Sequence, residues 1–204
     1  MATMILFVTG TDTGVGKTVF ASQLAMRFRG DGVSVAALKP VSSGGRGDAR
    51  ILRKATGGVL TLDEINPWYY RAGIAPLLAA RKEKKKLRLV QVVRHVLTVA
   101  RRFELVIVEG AGGLLSPLGE NFDSRDLILA LKATPIVVAP NRLGIVNQVL
   151  LTLAALPRPV AGRTHVMLVD TPRRDAASGT NADLLREKIG FDNVHSVPWN
   201  RRLN

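Results

Sequence analysis

The sequence predicts a three-layer α/β/α domain built on a mostly parallel central sheet. Three observations carry this. Short apolar runs rich in β-branched residues recur along the 204 residues, and stretches of helical period lie between them. A glycine-rich segment joins the first such run to the first helical stretch. No internal repeat or interdomain linker breaks the chain, so residues 1–204 are expected to form one domain.

In order, residues 4–9 read as the first strand and 18–28 as a helix, because apolar side chains return at helical spacing. Residues 34–38 are the next strand. Gly44-Gly45-Arg46-Gly47 is a flexible loop, and Asp48 starts a helix after it. Residues 105–108, 135–139 and 165–169 are three more strands, with a helix over 145–156 between the last two. Pro157-Arg158-Pro159 ends that helix, residues 173–180 form a polar loop, and 195–197 form a short final strand. The β-α-β-α order points to parallel strands covered by helices on both faces. In such sheets ligands bind at the C-terminal strand ends.

Composition narrows the function classes. An apolar fraction of 47% suffices for a sizeable core. The absence of cysteine excludes disulfides and thiolate metal sites. No apolar run is long enough to cross a bilayer, and Met1-Ala2-Thr3-Met4-Ile5 does not read as a secretory signal, so a cytoplasmic protein without a membrane partner is expected. The net charge is +13, which attracts polyanions. Its densest run, Arg81-Lys82-Glu83-Lys84-Lys85-Lys86-Leu87-Arg88, reads as a solvated helix end or loop. No aromatic residues interleave with these charges, so a nucleic-acid partner is not expected. His95, His165 and His195 have no metal-ligand spacing and are expected to be structural.

Residues 10–18 read Gly-Thr-Asp-Thr-Gly-Val-Gly-Lys-Thr, between a strand and a helix. That context marks a phosphate-binding loop: backbone N–H groups turn inward around oxygens and the helix N-terminus adds its dipole. Lys17 would reach the β- and γ-phosphates, and the Thr18 hydroxyl would bind magnesium. The expected architecture is therefore of the phosphate-loop NTPase type, a single nucleotide-binding and catalytic domain. Five residues, not four, separate Gly10 from Gly16, which points to a subclass.

Three other strand ends carry polar groups. Lys39, in Lys39-Pro40-Val41-Ser42-Ser43-Gly44, is either a second cation facing the transferred phosphate or a surface lysine. Glu109, in Val108-Glu109-Gly110-Ala111-Gly112-Gly113, is placed to hold magnesium directly or through water, or else to cap a turn. Asp48 is a helix N-cap or a further magnesium group. Asn147 follows Asn141-Arg142-Leu143-Gly144 at a helix N-terminus suited to a carboxylate.

Taken together, and in order from about Met4 to Trp199, these four motifs resemble those of the dethiobiotin synthetases. The resemblance implies an ATP-dependent cyclo-ligase of biotin biosynthesis that joins CO2 to 7,8-diaminopelargonate and closes the ureido ring of dethiobiotin. A substrate amine takes up CO2 as a carbamate, the carbamate attacks the γ-phosphate, and the second amine attacks the mixed anhydride and releases phosphate. By position, Lys17 and Lys39 would neutralise charge, with Thr13 and Ser43 near the diamine and carbamate. Asp12, Thr13, Gly14, Val15, Gly16, Lys17, Thr18, Glu109 and Gly112 would hold the nucleotide, and Thr18, Asp48 and Glu109 the Mg2+. Ser43 and Asn147 would bind substrate, Asn147 from the partner subunit, which implies a homodimer.

The chain also departs from the family pattern. Leu168-Val169-Asp170-Thr171-Pro172 has no asparagine where one often reads adenine, so the co-substrate is ATP or another triphosphate such as CTP. Family members usually continue beyond the position of Asn204, which leads us to expect a shortened base-binding wall. The alternatives are a related NTPase with altered substrate or lost turnover, and a partition-type ATPase switch. The switch normally has lysine where this chain has Asp12. A pure nucleic-acid-binding module would leave Lys39 and Glu109 unexplained.

Overall fold

The computed structural model describes residues 3–198. Met1, Ala2 and residues 199–204, with the expectations attached to them, lie outside the described residues. The strands are β1 (Met4–Gly10), β2 (Val35–Leu38), β3 (Val41–Ser43), β4 (Trp68–Tyr70), β5 (Leu105–Glu109), β6 (Thr134–Asn141), β7 (His165–Asp170) and β8 (Val194–Val197). The helices are α1 (Lys17–Gly30), α2 (Gly47–Ala55), α3 (Leu62–Ile65), α4 (Pro76–Lys82), α5 (Leu89–Ala100), α6 (Ser124–Leu131), α7 (Ile145–Ala154), α8 (Arg158–Ala161) and α9 (Asn181–Ile189).

Six strands form one sheet in the order β2-β5-β1-β6-β7-β8, and every pairing is parallel. The expected three-layer α/β/α architecture is present. Alternation along the strands builds two cores. On one face Phe7, Val106, Val108, Val137 and Val166 pack under α5, α6, α7 and α9. On the other, Val8, Ile107 and Val138 pack against Phe20, Ala21 and Ala25 of α1 and Leu52 of α2. Strands buried on both faces read as continuous apolar runs, which is why the sequence showed them.

Several expectations shift. The helix expected over 145–156 stops at Ala154, and the Leu156 N–H reaches only three residues back, to the Leu153 carbonyl, at 3.0 Å. Leu156 precedes a proline, and that position disfavours helical backbone. Pro157 then caps the next helix, α8, so the Pro-Arg-Pro segment opens a helix as well as closing one. The expected loop at 173–180 holds a short 3-10 turn, Ala176–Gly179, capped by the Asp175 carboxylate. Asp48 is not an N-cap: Arg46 holds that position and Asp48 lies within the first turn of α2. The small parallel pair β3–β4 had no visible period, because three residues are too few to show one. The basic run at 81–88 does close α4 and continue into a connection to α5, with Arg81 paired to Glu120 and Lys85 to Glu83.

Candidate active site

The glycine-rich loop leaves the C-terminal end of β1, the central strand, and enters α1 at Lys17. Gly16 is the residue that turns the chain into the helix, with φ of 95°, a left-handed conformation in which a side chain would be strained. Lys17 is buried, and its Nζ donates to the Asp12 carbonyl at 2.8 Å. The ammonium therefore lies folded across its own loop. Burial lowers the Lys17 pKa to about 8, with repulsion from Lys39 adding to the effect and Glu109, Asp48 and Asp12 opposing it.

Lys39 and Glu109 meet at the ends of β2 and β5, with the Lys39 Nζ 2.5 Å from Glu109 Oε1. Lys39 also pairs with Asp48 Oδ2 at 2.9 Å. Their exposures are 4% for Lys39 and 1% for Glu109. Burial opposes the charge on Lys39, but Glu109 and Asp48 outweigh it and raise the pKa, so the lysine is a fixed cation. Burial likewise works against the Asp48 carboxylate, yet Lys39 and the Thr18 hydroxyl hold its pKa below the usual range. The Thr18 hydroxyl donates to Glu109 Oε1 at 2.8 Å. Glu109 Oε2 is buried and has no hydrogen-bond partner among the described residues. An orphaned carboxylate oxygen is costly unless something pairs with it. Two carboxylates and a hydroxyl suit a divalent cation that takes the rest of its oxygen shell from phosphates and water, as magnesium does. These residues fit such an ion.

On the other side of the loop, a pocket of about 180 Å³ opens at the ends of β6, β7 and β8. Gly14, Gly16, Val19 and Phe20 wall one side of it, and Pro140 and Asp170 the other. Gly112 (φ 72°) lies against the loop: a side chain there would overlap Ser116 and approach Thr13 Oγ1. Thr13 is exposed at the loop tip, and Ser43 is half-buried at the end of β3. Asn147 is exposed on the first turn of α7, and its side chain makes no hydrogen bond among the described residues. The structure thus joins Lys17, Thr18, Lys39, Asp48 and Glu109 in one cluster, sets Gly112 against Thr13, and leaves Asn147 outside the cluster's hydrogen bonding.

A family profile described as an AAA domain matches residues 5–204. An ATP-dependent dethiobiotin synthetase from Anaeromyxobacter dehalogenans (strain 2CP-C) is 41% identical over 202 residues, covering 95% of this chain and 89% of the relative. The synthetase of Bacillus subtilis (strain 168) is 34% identical over 200 residues, covering 94% of this chain and 86% of the relative. The chain belongs to the dethiobiotin synthetase family. Among solved structures, the signal recognition particle receptor FtsY from Elizabethkingia anophelis superposes with a TM-score of 0.57 at 16% identity, covering 97% of this chain and 56% of that one. The kinase domain of the Escherichia coli tyrosine kinase ETK gives a TM-score of 0.56 at 19% identity, covering 86% of this chain and 71% of that one. These two share the fold.

This dethiobiotin synthetase family member also positions its cluster with residues that local sequence patterns do not reveal. The Asn66 side chain donates to the Lys39 carbonyl at 2.6 Å and accepts from Ser42 Oγ at 3.1 Å. Arg46 pairs with Asp63 at 2.8 Å, donates to the Leu62 and Asn66 carbonyls, and covers the Tyr69 ring. Ser116 Oγ accepts from the Gly113 N–H at 2.9 Å and closes the turn after Glu109. Asn66 is 27 residues from Lys39, and no spacing rule reaches that far. The histidines expected to be structural have ordinary partners: His95 meets the Glu64 carbonyl and the Trp68 ring, and His165 meets His195.

The lowered Lys17 pKa gives a pH-dependent expectation. A bound triphosphate favours the charged lysine and raises its pKa. Binding at about pH 9 should therefore take up a proton, and binding at about pH 6, where free Lys17 is already charged, should not. Calorimetry in buffers of different ionisation heat measures this. Equal uptake in Lys17→Met would place the proton elsewhere.

Proposed function

We propose that this chain is an ATP-dependent dethiobiotin synthetase, with 7,8-diaminopelargonate and CO2 as the small-molecule substrates. The observation that carries the reading is the buried Lys39–Glu109 pair, with the half-buried Thr18 bonded to it and Lys17 beside it, at the mouth of the phosphate loop. Family membership supports the same reading. Carbamate formation and phosphoryl transfer need positioning and charge neutralisation rather than a protein nucleophile. Lys17 and Lys39 would balance the charge on the γ-phosphate and carbamate, with Thr13 and Ser43 near the reacting diamine. The loop from Asp12 to Thr18 would wrap the triphosphate, helped by Gly112 through its approach to Thr13. Thr18, Asp48 and Glu109 would hold Mg2+, whose chemistry is to neutralise phosphate oxygens.

Asn147 and the N-terminus of α7 would bind the substrate carboxylate across a homodimer. Asn147 and Leu151 are four apart on α7, so they share a face, and Leu143 lies in the turn just before the Gly144 N-cap. Leu143 is 73% exposed and Leu151 63%, an apolar face suited to a second copy. Sedimentation tests the assembly, and a fully active monomer would contradict it. The chain is not expected to act at a membrane or on nucleic acid; among the described residues no helix is long and apolar enough to cross a bilayer.

The direct test is to incubate the protein with 7,8-diaminopelargonate, bicarbonate, magnesium and ATP or CTP, and to look for dethiobiotin by mass. Triphosphate hydrolysis without dethiobiotin would favour the related NTPase of altered substrate. Glu109→Gln is expected to raise the magnesium concentration for half-maximal turnover roughly 10–100-fold. An unchanged titration would leave Glu109 as the ion partner of Lys39 alone.

A further inference from the structure

Ser43 and Asp48 are joined by Gly44-Gly45-Arg46-Gly47, so a single side chain lies between two residues of the proposed site. Glycine leaves the backbone freer than any other residue does. Gly44 and Gly45 use that freedom, with φ of 78° and 117°. The first half of the loop is tied down near its own backbone. The Gly44 N–H donates to the Tyr70 carbonyl at 3.0 Å, and the Ser42 hydroxyl, shared with Asn66, reaches the Gly45 carbonyl at 2.9 Å. From Gly45 to Asp48 the tether is the Arg46 side chain.

Arg46 is docked on a firm base. Its Nη2 donates to the Leu62 carbonyl and, at 3.0 Å, to the Asn66 carbonyl. Its guanidinium lies 4.3 Å from the centroid of the Tyr69 ring. Leu62 and Asn66 belong to α3 and its C-terminal end. That helix is held in turn to α5: the Glu64 carboxylate pairs with Arg102, and the Glu64 carbonyl accepts from His95 Nε2 at 2.7 Å. Asn66 is fully buried. The carbonyl contacts matter more than the ion pair with Asp63, because Asp63 is 86% exposed and an exposed pair contributes little. On the other side, the Arg46 carbonyl accepts from the Arg50 N–H at 3.1 Å and opens the hydrogen bonding of α2. The guanidinium therefore fixes the N-terminal end of α2. Asp48 lies in that first turn, 2.9 Å from Lys39.

We propose that Arg46 is a positioning residue of the magnesium site, holding the Asp48 carboxylate where it meets the ion. This rests on the metal site of the proposed function. A guanidinium stays protonated and has no lone pair to offer a cation, so Arg46 acts through Asp48 alone.

The probe is Mn2+ in place of Mg2+, with a non-hydrolysable ATP analogue and the whole protein. Water proton relaxation distinguishes the protein-bound ion from the free one. Arg46→Ala should weaken Mn2+ binding about 10–100-fold, the range for a group that orients a metal ligand. Arg46→Lys keeps the charge without the planar fork and should fall between Arg46→Ala and the wild type. Rescue separates positioning from a merely structural role. Gly47 begins α2, and a side chain there would stand in open space. Gly47→Ala narrows the freedom of the loop without touching α3. Arg46→Ala/Gly47→Ala should therefore bind Mn2+ about two- to fivefold better than Arg46→Ala. Wild-type Mn2+ affinity in Arg46→Ala and Arg46→Lys, with only the melting temperature lowered, would overturn the proposal. Asp48→Asn shows which reading has failed. If it loses Mn2+ while the Arg46 variants do not, the proposal alone falls. If it binds Mn2+ as the wild type does, Asp48 is not a ligand, and the metal site falls together with the proposal. Because the assay needs no diaminopelargonate, its result is independent of whether dethiobiotin forms.

Discussion

Lys39→Ala is expected to abolish turnover and to cost about 3–5 kcal/mol of folding stability. Both effects come from one geometry. Glu109 is almost wholly buried and Lys39 is its counter-ion at 2.5 Å. Removing the lysine leaves a carboxylate in the interior with one hydroxyl partner, Thr18, and an Oε2 that already has none. Unpaired buried charge is among the most destabilising of single changes. A domain has only about 5–15 kcal/mol of total stability, so the loss should be evident in urea unfolding. The variant Lys39→Met/Glu109→Gln separates the two roles. With both charges gone, stability should return to within about 2 kcal/mol of the wild type. Turnover should not return, because Lys17 alone then faces the charge that the two lysines share on the transferred phosphate and carbamate. Full turnover in Lys39→Ala would make Lys39 a structural ion partner only.

Lys17→Ala should lose activity comparably, by about 10²–10³-fold or more, but with the opposite effect on stability. Lys17 is 6% exposed, and its ammonium bonds a backbone carbonyl rather than a carboxylate. Its pKa, brought down to about 8 mainly by burial, shows that the free protein disfavours this charge. Removing the ammonium removes that cost, so the melting temperature should hold or rise. Activity bought by a strained site is a familiar trade. The ligand response distinguishes the two lysine variants. Triphosphate at 100 times its Kd stabilises a protein by about 2.7 kcal/mol; that thermal shift should vanish in Lys17→Ala. A variant that keeps both its turnover and its thermal shift would remove Lys17 from the phosphate site.

The sequence by itself determined the frame and which polar residues stand at the strand ends. Doubly buried strands must be apolar along their length, so 105–108 and 135–139 were legible without partners. The phosphate loop was legible because its function resides in backbone geometry, which glycine at 14 and 16 announces locally. Lys39 and Glu109 stood out as charges ending apolar runs, although each still had a competing surface or turn reading.

Only the tertiary structure showed that Lys39 is not a surface lysine, by burying it and Glu109, 70 residues apart, within 2.5 Å of each other. It moved Asp48 from a helix cap to an ion partner of Lys39. It supplied Asn66, Arg46 and Ser116 as supports, and it set Asp170 at a pocket with Asn141 behind it. The physical reason is common to all of these. A side chain's charge state and role depend on what is buried against it, and in a parallel sheet those neighbours come from strands joined by long crossovers. Local periodicity records which residues turn inward; it does not record which of them meet.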